Sequence, residues 1–311
     1  MTAIPESDSS AVDTTSPVVP NEETNLRRFI SDFADNKVAV GALFVFLVII
    51  FVAIFCPFIS PQDPYDLAVI DILDSRLAPG AESMSGMKYW LGTDDQGRDM
   101  VSAIFYGLRT SLAVGAMSGF IALCMGASIG LIAAYCGGRV DAIIMRLVDL
   151  QLSFPAILVA LMLLAILGKG VDKINVALIA VQWAYYARIA RGSALVERSK
   201  EYIEAAHCLA LSNRRIVFRH LLPNVMPPLI VVATVQVAHA ILLEATLSFL
   251  GIGLPVTEPS LGLLISNGFE YMMSGKYWIS FFPGIALLIT VVSINLVGDQ
   301  LRDVLNPRLQ R

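Results

Sequence analysis

The uncharged stretch VAVGALFVFLVIIFVAIFCPFISPQ, residues 38–62, decides the class of this chain. It places 25 residues without a charge between Lys37 and Asp63. A helix needs roughly 20 predominantly apolar residues to cross the hydrocarbon core of a bilayer. The stretch is therefore predicted to span a membrane, and the chain is predicted to be an all-α integral membrane protein.

The composition of the whole chain agrees with this class. Of 311 residues, 56% are hydrophobic and 15% are charged, and the mean hydropathy is +0.69. Soluble domains carry about 25% charged residues, so an ordinary soluble enzyme and a disordered chain are excluded. The net charge of -4 offers no basic surface for nucleic acid. The four cysteines form no CxxC pair, so neither a disulfide scaffold nor a metal centre is predicted.

Further uncharged segments follow along the chain. With the first, they predict six spans at about 38–60, 110–136, 150–168, 173–190, 224–250 and 279–299. The fourth is the short one, because only INVALIAVQWAYYA, residues 174–187, separates Lys173 from Arg188. On length alone this segment could be a buried or re-entrant piece.

The positions of lysine and arginine decide between these alternatives. With six spans and a cytoplasmic N-terminus, 15 of the 22 basic residues lie inside and 7 outside. Without the fourth span the count becomes 6 inside and 16 outside. The positive-inside rule therefore predicts six spans, with the fourth extended through Arg188 and with both termini cytoplasmic.

The N-terminal region and the rest of the chain differ in character. Residues 1–25 are rich in Ser, Thr, Pro and acidic residues and hold no Lys or Arg, which predicts a disordered cytoplasmic tail. Residues 26–311 are predicted to form one transmembrane domain. The basic region that opens a signal peptide is missing, so the first span is interpreted as an uncleaved anchor.

The segment before the second span carries the run LGTDDQGRD, residues 91–99. Apolar residues follow at 101, 104, 105 and 108, the spacing of one helix face. We expect a short amphipathic helix on the outer membrane surface, capped by Asp99. The charges favour capping and turn formation, and contact of Asp94, Arg98 and Asp99 with an external partner is the functional alternative. The run lacks the spacing of a calcium loop.

The large cytoplasmic loop, residues 188–223, holds seven of the basic residues. A helix is predicted from Glu201 to Leu209, then a break at Ser212-Asn213, then a second short helix. Two short helices at an angle make a surface knob. The small side chains of Ala205 and Ala206 would let the backbone of another protein approach closely.

This loop resembles the EAA loop of the membrane subunits of bacterial ABC importers. In that pattern Glu-Ala-Ala is followed after three residues by Gly, and after further fixed spacings by Ile and Leu-Pro. Here Ala210 stands at the Gly position and His220 at the Ile position. The resemblance assigns contact with an ATPase subunit to Glu204, Ala205, Ala206, Ala210, Leu222 and Pro223.

A second set of motifs is similar to the C-type subunit of the dipeptide/oligopeptide/nickel permease group. It comprises 92–94 with 97–99, the run EATLSFLGIG at 244–253, Arg219-His220 before 222–224, and Asp299, Asp303, Asn306 and Pro307 near the end. Together these motifs extend over roughly residues 27–308.

The resemblance implies a type I importer permease fold in the bacterial inner membrane, embedded in lipid. It also implies a second homologous permease subunit, two cytoplasmic ATPase subunits that hold ATP and Mg²⁺, and an extracytoplasmic substrate-binding protein. Short peptides are the expected cargo, and nickel or another small solute is the alternative.

The chain itself is not expected to be an enzyme. It has no GxxxxGK[ST] loop, no metal spacing among His207, His220 and His239, and no protease motif, so no catalytic, metal or cofactor site is predicted. A self-sufficient secondary transporter is the rival function, and it would need its own coupling-ion site. Only Glu244 interrupts an apolar span. It is expected to bond a neighbouring helix, to line the translocation path or to recognise a peptide amine.

Small residues and prolines complete the sequence signals. Gly115, Gly119, Gly126 and Gly130 in the second span predict close helix packing. Pro155, Pro227 and Pro228 are expected either to bend helices beside a cavity or to mark helix starts.

Overall fold

The structure is a computed structural model that describes residues 25–66, 70–83, 86–255 and 257–305. Across these ranges the regular structure is helical, apart from the isolated bridges Glu82–Lys88 and Thr93–Asp99. The predicted tail lies outside the described residues, except for Asn25, which already begins the first helix.

Eleven α-helices are described, and two of them flank a π-helical turn at Ile216–Leu221. They are α1 Asn25–Ala34, α2 Lys37–Ile59, α3 Met100–Cys136, α4 Gly138–Ser153, α5 Ala156–Leu167, α6 Val171–Arg198, α7 Glu201–Cys208, α8 Asn213–Arg215, α9 Leu222–Phe249, α10 Leu261–Phe269 and α11 Trp278–Leu305.

Four helical stretches in the described part are long and apolar enough to cross a membrane. These are α2, α3, the continuous stretch Asn213–Phe249 and α11, and the bent pair α4–α5 adds a fifth candidate. The predicted all-α membrane class is thereby confirmed.

The predicted fourth span corresponds to α6, which has 28 residues although its uncharged segment has only 14. At 1.5 Å per residue it is about 42 Å long, which exceeds the thickness of a hydrocarbon core, although α6 is not among the stretches apolar enough to be candidate spans. The predicted extension through Arg188 is confirmed, because the helix continues to Arg198. The short segment is thus part of a long helix, and its crossing of the membrane stays a prediction.

The predicted third span, 150–168, is wrong as a single helix. The chain breaks at Phe154 and Pro155, and α4 and α5 meet at 90°. A residue before proline is driven out of the helical region, and Phe154 is extended at φ -91°, ψ 140°. With 12 residues, α5 is only about 18 Å long, which is too short to cross a hydrocarbon core about 30 Å thick. Pro155 immediately precedes α5 and therefore marks a helix start.

The expected separate surface helix before the second span is also wrong. Residues 100–109 continue directly into the span, so that α3 has 37 residues. The predicted cap is confirmed, because Asp99 accepts a hydrogen bond from the Ser102 N–H at 2.8 Å. The apolar face of residues 100–109 is buried against α10 and α11. This packing explains why the segment belongs to the helical bundle instead of lying on the membrane surface.

The core lies where α3 packs against α6 and α9. The predicted role of the α3 glycines in close packing is confirmed. A Cβ on Gly115 would lie 2.7 Å from Ile241 Cγ1 of α9, and one on Gly130 would lie 2.3 Å from the Ala187 carbonyl oxygen of α6. The glycines therefore allow two neighbouring helices to approach α3 at different heights.

Candidate functional site

The knob predicted on the cytoplasmic side is built from α7, α8 and the π-helical turn. Ile203 and Ala206 of α7 are buried against Ile216, and Tyr135 of α3 and Leu211 pack onto the same cluster. Glu204 and Ala205 face outward and are exposed. The knob therefore has a small apolar core of its own and presents the other face of α7 to a partner.

The structure separates the two alanines that the sequence treats as equivalent. Ala206 is only 4% exposed, because it lies three residues after Ile203 on the inward face of the helix. The expectation that Ala206 meets a partner directly is therefore corrected: its small side chain admits Ile216. Ala205 is the alanine that a partner can reach.

Ala210 occupies the conformation for which the family pattern has glycine. Its φ is +52°, and the N–H groups of Ala210 and Leu211 donate to the carbonyls of His207 and Ala206, at 2.9 and 3.2 Å. This pair of hydrogen bonds is the Schellman arrangement that ends a helix with a left-handed residue. Ala210 thus directs the chain out of α7, although a left-handed alanine costs about 1–2 kcal/mol.

Leu222 and Pro223 lie where the knob joins the membrane helix. The Leu222 N–H donates to the Val217 carbonyl, five residues earlier, which closes a π-helical turn. Pro223 is the second residue of α9, where its missing N–H is tolerated. The two residues therefore form a rigid junction between knob and span.

Polar contacts tie the knob to the end of α6. Tyr202 donates to Glu197 at 2.8 Å, and Arg198 donates to the Ala134 carbonyl of α3 at 2.8 Å. Burial, and then the hydrogen bond to Glu197, raise the pKa of Tyr202 to about 12, so its hydroxyl stays protonated. Two turns earlier on α6, Arg191 forms a bidentate pair with Asp141 of α4, at 2.6 Å for both bonds.

The charged run 91–99, which is predicted to lie on the outer side of the membrane, carries three charged side chains that are buried in the protein. Asp94, Arg98 and Asp99 are at most 1% exposed. Arg98 Nε donates to Asp94 at 2.6 Å, and Gln62 accepts from the Asp99 N–H at 2.7 Å. The proposed contact of these three side chains with an external partner is therefore corrected, because they stabilise the turn and the start of α3.

The same motif holds the outer segment to the last span. Trp278 Nε1 donates to the Thr93 carbonyl at 3.2 Å. Gly97 has φ +83°, and a Cβ there would lie 2.2 Å from the Asp71 carbonyl oxygen. Glycine is required at this position both for its backbone conformation and for the close approach.

Glu244 is fully buried inside the bundle and is not found among the residues that line the cavities described below. It accepts hydrogen bonds from Ser111 of α3 at 2.8 Å and from Ser248 at 2.7 Å. This arrangement fits the expected bond to a neighbouring helix. It also gives the EATLSFLGIG motif a structural function at the outer end of α9.

A groove between α6 and α9 was missed by the sequence analysis. An outer cavity of about 270 Å³ lies in it, and an inner cavity of about 580 Å³, lined mainly by α9 and α11 with Ile189 of α6, lies farther along α9. The inner one is mainly apolar, with Asp299 and Arg302 among its lining residues. The outer one carries the polar side chains Gln182, Gln236 and His239. The available signal was the presence of glutamine and histidine within apolar spans.

No group of three His, Cys, Asp or Glu side chains that could hold a metal ion occurs within the described ranges.

The fold resembles the inward-facing MetNI methionine ABC transporter, with a TM-score of 0.54 and 21% identity over 67% of this chain and 98% of that chain. A second crystal form of the same transporter gives a TM-score of 0.55.

Residues 126–311 match the family described as binding-protein-dependent transport system inner membrane component, and the chain belongs to this family. Residues 24–79 match the N-terminal TM domain of oligopeptide transport permease C. It is therefore a multi-pass inner membrane permease.

Similar proteins cover nearly the whole chain. The di/tripeptide transport system permease protein DppC of Pseudomonas aeruginosa is 37% identical over 92% of this chain and 93% of its own length. The dipeptide transport system permease protein DppC of Bacillus subtilis is 36% identical over 89% and 83%. The probable D,D-dipeptide transport system permease protein DdpC of Escherichia coli is 34% identical over 94% and 96%.

Proposed function

We propose that this chain is the C-type permease subunit of an ATP-driven importer that carries short peptides across the inner membrane. The observation that supports the peptide cargo is the similarity, over nearly the full length, to permeases named for dipeptides and tripeptides. The groove between α6 and α9 supplies this chain's half of the path. Nickel or another small solute is the alternative cargo.

The proposed complex contains four further proteins. These are a second homologous permease, two cytoplasmic ATPase subunits and an extracytoplasmic binding protein. ATP and Mg²⁺ belong to the ATPase subunits, because the permease sequence has no phosphate-binding loop. Both termini lie in the cytoplasm, an orientation supported by the excess of basic residues on that side.

The knob is the proposed contact with an ATPase subunit. Glu204 and Ala205 point outward on α7, and the apolar core around Ile203 fixes the helix to α3 and the π-helical turn. A movement of α7 is therefore transmitted through Leu222 to α9, which lines the groove. Closure of the ATPases would change the width of the path by this route.

Reconstitution tests the cargo. The complete importer in proteoliposomes, with ATP inside, is expected to take up labelled di- or trialanine only when the binding protein is outside. Omission of ATP is the control for passive entry. Uptake of nickel without uptake of peptide would contradict the proposed cargo, and uptake by the permease alone with an ion gradient would support a secondary transporter instead.

Pull-down tests the coupling contact. Ala205→Trp adds bulk to the outward face of α7 and is expected to weaken capture of the ATPase subunits and to lower uptake. Overpacking of a tight contact costs about 1–3 kcal/mol, or roughly a five- to hundred-fold loss of affinity. Val140→Trp, at an exposed position of α4, is the matched control. Equal capture of the ATPase subunits by the Ala205 variant and by the control would show that the knob is not the contact.

A further inference from the structure

The groove contains a set of polar side chains in the middle of the membrane. Gln182 lies eleven residues into α6, and His239 lies ten residues before the end of α9. At 1.5 Å per residue both are about 15 Å from the outer helix ends, close to the centre of a hydrocarbon core about 30 Å thick. The two helices thus place their polar groups at the same depth.

These groups share one face with the lining of the inner cavity. On α6, Gln182, Tyr185 and Ile189 fall at i, i+3 and i+7, and Ile189 lines the inner cavity. On α9, Val231, Val235 and His239 follow at steps of four. Residues at these steps lie on one side of a helix. The two cavities therefore lie along the same face of α9, with α6 beside both.

The hydrogen bonds in the outer section leave acceptors unused. Gln182 Nε2 donates to the Gln236 carbonyl at 3.3 Å, and Gln182 Oε1 has no partner among the described residues, although the residue is only 3% exposed. Gln236 Oε1 lies 3.1 Å from His239 Nδ1. With this oxygen as the acceptor, Nδ1 carries the hydrogen, and Nε2 of the exposed imidazole remains an acceptor.

An exposed histidine is costly against lipid, and an unpaired glutamine oxygen is costly in the protein interior. They are compatible with a water-filled path or with a ligand that supplies hydrogen-bond donors. The lining of the outer section contains no Asp, Glu, Lys or Arg among its described residues. The site is therefore suited to a neutral donor, and it would not trap a charged group in transit.

We propose that Gln182 and His239 form a binding site that accepts a hydrogen bond from the backbone amide N–H of a peptide crossing the membrane. Gln236 is the residue that positions the imidazole. The proposal rests on the proposed peptide cargo and adds the residues of the permease that contact it. Gln182 Oε1 and His239 Nε2 are two acceptors on the same lining, and the single amide N–H of a dipeptide bonds one or the other; Gln236 holds both residues by one carbonyl and one side-chain oxygen.

An ester analogue of the peptide provides the test, because replacing the amide by an ester removes the N–H and keeps the shape. The complete importer in proteoliposomes is supplied with labelled di- or trialanine, whichever it imports, and with the matching ester. The binding protein is the same throughout, so its own preference cancels when the amide-to-ester ratio of uptake rates is compared between permease variants. The amide-to-ester ratio of uptake rates is expected to be about five-fold higher in the wild type than in variants that lack an acceptor. This factor corresponds to the free energy of one hydrogen bond.

Gln182→Met removes the acceptor and keeps the side-chain length. The matched control is Gln151→Met, since Gln151 Nε2 also donates to a backbone carbonyl of α6, that of Ala180, at 3.1 Å, but Gln151 does not line the groove. We expect Gln182→Met and His239→Leu to lower the ratio, His239→Gln to restore part of it, and Gln151→Met to keep it.

Two results would overturn the proposal: an unchanged ratio in Gln182→Met and His239→Leu, or the same decrease in Gln151→Met, which would indicate a structural effect only. If the proposed peptide cargo is wrong, the result differs from both of these. The wild type would then import neither the amide nor the ester when ATP is present.

Discussion

Gly126 of α3 lies so close to α6 that a Cβ atom at this position would be 2.3 Å from the carbonyl oxygen of Trp183. The contact is with backbone, which cannot move away as a flexible side chain can. The helices α3 and α6 are therefore held together at a point where only hydrogen fits. This contact also fixes the rotation of α6, and so the direction in which its polar face points.

Gly126→Ala is expected to destabilise the bundle by about 1–3 kcal/mol, because the added methyl group must separate α3 from α6. The measurement is thermal unfolding of the purified permease in detergent. Gly192→Ala is the control, since a Cβ there meets nothing within 4 Å. An equal melting temperature for the two variants would show that the approach of the helices at Gly126 is not tight.

Ala210→Gly is expected to stabilise the knob by about 0.5 kcal/mol. The substitution removes the penalty of a left-handed alanine, and the greater freedom of glycine in the unfolded chain offsets part of the gain. Hydrogen exchange of the α7 amides reports the change. Ala205→Gly is the paired control, because the same substitution inside the helix should cost about 1 kcal/mol. Faster exchange in Ala210→Gly would contradict the conformation described here.

Glu244→Leu is expected to destabilise the bundle by about 1–3 kcal/mol, because the hydroxyls of Ser111 and Ser248 lose their buried acceptor. Glu244→Gln keeps an acceptor oxygen and should be milder in both unfolding and uptake. If Glu244 instead lined the path, Glu244→Gln would reduce transport without changing stability. Comparing melting temperature with uptake therefore distinguishes the two functions of this residue.

Single cysteines test the orientation in the membrane. In a background without native cysteines, a cysteine at Met273, which is 96% exposed, should react with an impermeant reagent from outside. A cysteine at Ser212 in the knob should react only after the membrane is made permeable. The reverse result, in which the cysteine at Ser212 reacts from outside and the cysteine at Met273 only after permeabilisation, would exclude the arrangement in which α6 crosses the bilayer.

Local signals in the sequence determined much of this protein. The apolar runs define the membrane class, Asp99 defines a helix start, the α3 glycines define a packing face, and the Glu-Ala-Ala run defines the knob. Each of these signals depends on a short stretch of sequence. The membrane class follows from the poor hydration of a continuous apolar segment, the helix start from an unpaired backbone N–H, and the packing face from the absence of a side chain. They can therefore be read without knowing which helices are neighbours.

The tertiary structure alone decided which side chains meet. Rotation of α7 turned Ala206 inward and Ala205 outward, and packing of the outer segment buried Arg98 with its acidic neighbours. The contact between Gln182 and Gln236 joins residues 54 positions apart. Helical periodicity gives the faces of each helix but not the angle at which two helices pack, because that angle depends on contacts made by both. The groove, and the amide-binding site proposed within it, form only when those packing angles are set.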